Sequence, residues 1–119
     1  MLKFTIDEIH KIKTIIQDNT NIINGKTVFE HILHCSTKMI EISNEFITLN
    51  ANNSNKIELP YKKTMQYGLS VGRIQELLLG IGGKEAWWDI IKEMFEDITI
   101  EKLIQLHQYS VELHTILFN

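Results

Sequence analysis

Apolar residues recur along this chain at the three- and four-residue steps of α-helices. The clearest run is Val28, Ile32, Cys35, Met39, Ile42, Phe46 and Leu49, a heptad seam that predicts a helix over residues 28–49. Leu33, Ile40 and Ile47 widen the stripe to one side, so this helix needs at least two neighbours and is the expected centre of the fold. Ile6, Ile9, Ile12 and Ile16 mark a first helix over residues 6–18. Tyr67, Val71, Ile74, Leu78 and Ile81 mark a third over residues 60–79, opened by Pro60, whose missing N–H is no loss in a first helical turn. Trp87, Trp88, Ile91, Met94 and Phe95 load a short fourth helix over residues 85–96. A fifth follows over residues 100–117, and the short Asp97–Thr99 junction leaves open whether these last two are one kinked helix.

The punctuation agrees with this division. Thr5 with Glu8, and Thr27 with Glu30, have the spacing of capping boxes, in which hydroxyl and carboxylate satisfy the free N–H groups of a helix start. Thr99 has the position of an N-cap. Asn24-Gly25 suits a turn with positive φ, and a short strand at Ile22-Ile23 is the lesser alternative to a plain loop. Residues 50–55 are rich in asparagine and read as a solvated loop. The expected fold is therefore all-α, a compact bundle of four to five helices, in one domain spanning residues 1–119.

Composition narrows the function classes. With 44% hydrophobic and 23% charged residues in 119, the chain can bury one core and is too short for two. A net charge of −3, with Lys11, Lys13, Lys62 and Lys63 as scattered pairs, disfavours nucleic-acid binding. Cys35 is the single cysteine, which excludes an intramolecular disulfide and cysteine-rich zinc patterns. No apolar run reaches the roughly 18 residues of a membrane span, and no signal core opens the sequence, so no membrane partner and a cytoplasmic location are expected.

Three places carry residues of chemical interest. On the fifth helix, His107, Ser110 and His114 fall in the middle of the apolar arc. Polar groups buried there need partners, at a cost of about 1–3 kcal/mol if left without. A ligand or metal site between helices would supply them; core histidines bonded to neighbouring side chains, or a subunit interface, are the plainer explanation. His107 and His114 stand two turns apart, about 10 Å, too far to ligate one metal together. At the start of the second helix, Glu30, His31, His34 and Cys35 are metal-ligand residue types, but His34 points away from the seam that Cys35 enters. Solvent-facing histidines and a core cysteine account for them. Gly80-Ile81-Gly82-Gly83-Lys84 lacks the spacing and hydroxyl of a phosphate-binding loop and reads as a helix end.

Two further features point outward. Gly68 and Gly72 stand four apart on a face away from the seam, each costing about 1 kcal/mol against alanine, which implies close approach of another helix, within the domain or across a dimer. The adjacent Trp87 and Trp88 point about 100° apart, so both cannot enter one small core, and tryptophan is a common interface anchor. The sequence thus leads to a non-enzymatic helical protein-interaction module of inhibitor, immunity or regulatory type. It is expected to bind a protein partner, to self-associate as a homodimer, and to use no cofactor, metal or catalytic residue. Trp87, Trp88, Gly68 and Gly72 are the expected partner-binding residues. The alternative is a bundle that binds a metal or small ligand through His107 or His114, with His10, His31 or His34; a DNA-binding regulator ranks below both.

Overall fold

A computed structural model describes residues 4–18, 20, 22–52, 56–77, 92–93 and 95–119. Helix α1 spans Ile6–Gln17. A hairpin of β1 (Ile22–Ile23) and β2 (Lys26–Thr27) follows, then α2 (Val28–Asn50), α3 (Tyr61–Leu77) and α4 (Ile100–Phe118). Helix takes up 76% of the described residues, so the bulk of the chain is helical as expected, but it is not a pure helical bundle.

The departure is the hairpin. Ile22 pairs with Thr27 and Ile23 with Lys26, antiparallel, around a two-residue turn. Asn24 and Gly25 adopt φ of 50° and 80°, the pair of positive values that a tight hairpin turn requires. The Asn-Gly turn was legible, but two-residue strands are too short to show alternation, and the plain loop expected there is corrected. His31 holds the hairpin onto α2: its Nε2–H donates to the Ile23 carbonyl at 2.7 Å.

Each helix start has a local cause. Thr5 and Glu8 form the full capping box of α1. At α2 the Thr27 hydroxyl accepts from the Glu30 N–H at 3.2 Å. Pro60 precedes α3, and its carbonyl accepts from the Thr64 N–H. Before α4, Asp97 has a φ of 45° and Thr99 is extended, its hydroxyl accepting from the Lys102 N–H. This break at Asp97 separates α4 from the helical pair Lys92–Glu93, so the two do not join as one kinked helix. Phe95 and Glu96, expected at the end of the fourth helix, lie in a turn instead, with Phe95 packed against the core; residues 85–91 and 94 of that helix lie outside the described residues, as do the end of the third, with Leu78 and Ile81, and the segment 80–84.

Helix α2 is the central element, packing along both α3 and α4 and more lightly on α1. Val28, Ile32, Cys35, Met39, Ile42 and Phe46 are all buried, meeting Ile12 and Ile16 of α1, Tyr67, Val71 and Ile74 of α3, and Leu103, Leu106, Leu113 and Leu117 of α4. Two seam assignments need correction. Ile6 is 74% exposed, and Phe4, two residues earlier, packs against the core. Leu49 is 50% exposed, and Asn50 takes the inward position at 1%. The Asn50 amide donates to the carbonyls of Phe46 and Glu58 and accepts from the Glu58 N–H at 2.7 Å. It thereby ties the extended segment before α3 to the last turn of α2.

Candidate functional site

Helices α2 and α4 run antiparallel, and two serine–histidine pairs cross between them. Ser36 Oγ lies 2.9 Å from His114 Nδ1, and Ser43 Oγ lies 2.9 Å from His107 Nδ1. Both serines are fully buried, and both histidines are half-buried. The centre of the α4 arc is Leu103, Leu106, Ser110, Leu113 and Leu117, so His107 and His114 stand on its shoulder and not in its middle. Ser110 is central and fully buried.

The polarity of these bonds follows from the other partners of each hydroxyl. Ser43 donates to the Ile40 carbonyl, so its oxygen accepts from the His107 Nδ1–H. Ser110 donates to the Leu106 carbonyl, so the Tyr67 hydroxyl donates to Ser110 at 2.8 Å. Buried Ser36 has His114 Nδ1 as its hydrogen-bond neighbour among the described residues, and the His114 tautomer sets which of the two donates. The His114 ring also leans on Phe118, with centroids 4.9 Å apart.

A serine that donates to a histidine is the arrangement that activates a nucleophile. Here Ser36 is fully buried under the α2–α4 contact, where no substrate reaches its oxygen. What the pairs accomplish is register. The two serines and the two histidines share one seven-residue spacing, so a single antiparallel alignment satisfies both pairs, and sliding by one turn separates both and leaves the buried Ser36 hydroxyl without its partner. The sequence reading found His107, Ser110 and His114 but missed Ser36 and Ser43. The matching seven-residue spacings were the available signal.

The cluster at the start of α2 disperses. His31 is half-buried on the hairpin, which corrects its expected solvent-facing position, while His34 is exposed and Cys35 is buried. Among the described residues no three His, Cys, Asp or Glu side chains converge on a point that could hold a metal ion. Burial raises the Cys35 thiol above its ordinary value of 9.0, with the Arg73 charge opposing, and a thiol kept protonated is a poor nucleophile. Burial likewise lifts the Tyr67 hydroxyl far above its ordinary 10.0. Both groups ionise more readily in the unfolded chain. Each therefore adds stability that is complete below its ordinary value and is lost as pH climbs beyond it. Urea midpoints measured from about pH 8 to about pH 11 should fall from pH 9 upward, and Tyr67→Phe should flatten the upper part of that decline.

The outward side of α3 has a different character. Tyr61, Met65 and Leu69, spaced four apart, are 76%, 46% and 67% exposed, opposite the buried Tyr67, Val71 and Ile74. Gly68 and Gly72 share this side, and a Cβ built on either meets nothing within 4 Å. The close intramolecular helix contact that these glycines suggested is therefore not made among the described residues. Two grooves flank the stripe along the α2–α3 seam. One, of about 330 Å³, has Cys35 and Ser70 beneath and His34, Lys38 and Leu69 at its rim. The other, of about 440 Å³, is lined by Phe46, Leu49, Pro60 and the Glu45–Lys63 ion pair. The i, i+4, i+8 stripe was present in the sequence but lay off the seam that defined the core. Trp87 and Trp88 lie outside the described residues.

Among the described residues no helix is long and apolar enough to cross a membrane. No protein-family model, curated protein or solved structure matches the chain.

Proposed function

We propose that this chain is a small non-enzymatic protein-interaction module, of inhibitor, immunity or regulatory type and acting in the cytoplasm, whose docking surface is the outward face of α3. The observation that carries this reading is the stripe of Tyr61, Met65 and Leu69 beside two glycines with open space above them. A helix that packs one side on a core is ordinarily polar on the other. Helix α3 carries an apolar stripe there as well, beside Lys62, Gln66 and Glu76, and this supports a second contact. The glycines strengthen the argument. Each costs about 1 kcal/mol relative to alanine in a helix interior, and among the described residues nothing uses the space they leave. Gly68→Ala and Gly72→Ala should therefore each stabilise the isolated domain, by up to about 1 kcal/mol in urea denaturation.

The reading separates folding from binding. Leu69→Glu should leave stability within about 0.5 kcal/mol of the parent, as an exposed substitution does. On gel filtration of extract from its own cell, the parent should elute in a species larger than the monomer and Leu69→Glu as the monomer. Identical elution of the two would count against α3 as the docking face.

A further inference from the structure

We infer that the helix docking on this face is the α3 of a second copy, packed antiparallel about a two-fold axis between Gly68 and Leu69. This rests on the reading of α3 as the docking face and adds the identity and geometry of its occupant.

The face is complementary to itself in that arrangement. A two-fold at this point sets Met65 in the same layer as the partner's Gly72, and Leu69 in the same layer as the partner's Gly68. Each large side chain is thus offered the open space over a glycine. Charge follows the same axis. Lys62 falls in the layer of the partner's Gln75, one residue from the partner's Glu76, whose side chain is 68% exposed and already pairs with its own Arg73, and symmetry makes that approach twice. A parallel pairing does the reverse: it stacks glycine on glycine and Met65 on its own copy, and places Lys62 and Arg73 against themselves. Size and charge both select the antiparallel form. One helix-on-helix contact is at the small end of specific interfaces, and covalent trapping reads its geometry directly.

Cysteine pairs provide the trap. Positions 65 and 72 are two turns apart in one chain, about 10 Å, beyond the 4.4–6.8 Å Cα separation of a disulfide, so they cannot join within a molecule. In the antiparallel dimer they face each other across the axis twice. Under mild oxidation the double variant Met65→Cys/Gly72→Cys should give a covalent dimer of about twice 13.9 kDa, at least tenfold more than either single variant or the parent, which carries only buried Cys35. Unchanged circular dichroism and melting confirm that the variants fold. A double variant that stays monomeric overturns the inference. So does a Met65→Cys single variant that cross-links as well as the double, because that is the parallel form. Either result leaves the docking face open to a different protein, which a photo-crosslinker at position 69 reports independently.

Discussion

Phe46→Ala should destabilise the domain by about 3–5 kcal/mol, and Ile32→Ala by about 2–5 kcal/mol. Phe46 is 1% exposed and Ile32 is 0%, and both lie on the side of α2 that joins all the other helices in one core. Removing either side chain loses its transfer energy and leaves a cavity between helices that the serine–histidine pairs hold in register. His34 is on the same helix but exposed, and His34→Ala should cost under about 1 kcal/mol. Urea denaturation of the three variants decides the matter. Equal small losses at all three would mean that the buried side of α2 is wrongly assigned.

Asn50→Ala should cost about 2–4 kcal/mol, while Leu49→Ala next to it should cost under about 1 kcal/mol. The larger loss falls on the polar residue because its amide is buried and makes three bonds to main chain, two of them to Glu58. Truncation breaks the two part-buried bonds to the Glu58 main chain and frees the segment that leads into α3. Leu49 is half exposed and loses little. A hydrophobicity-based view of α2 predicts the opposite order, so the pair of variants tests the end of the seam directly.

Most of the helical frame was legible because its signals are local. The caps at Thr5, Thr27 and Thr99 sit where the sequence placed them, and six of the seven seam residues of α2 are buried. The seam failed at Leu49 because periodicity carries no information about the next segment, and Asn50 turns inward to bind that segment. The hairpin was lost to the brevity of its strands, although Asn24 and Gly25 took the positive φ values expected of them. On α4 the polar residues stood out because histidine and serine interrupt an apolar arc. Their partners did not, because Ser36 and Ser43 on α2 are unremarkable in a helix until another helix is laid against them. The outward stripe of α3 was not legible for a related reason: it lies off the seam of Tyr67, Val71 and Ile74, and periodicity alone does not say that Met65 and Leu69 stay exposed.

The most direct test of α3 as the docking face is site-specific photo-crosslinking in the cell of origin. A photoreactive residue at position 69, exposed beside the open glycines, should give one discrete adduct; the same group at the exposed Glu101 of α4 should give none, and Met65→Glu should abolish the first. An adduct of about twice 13.9 kDa would identify the second copy, and another mass a different protein on the same face. No adduct at position 69, or the same adduct from position 101, would contradict the account.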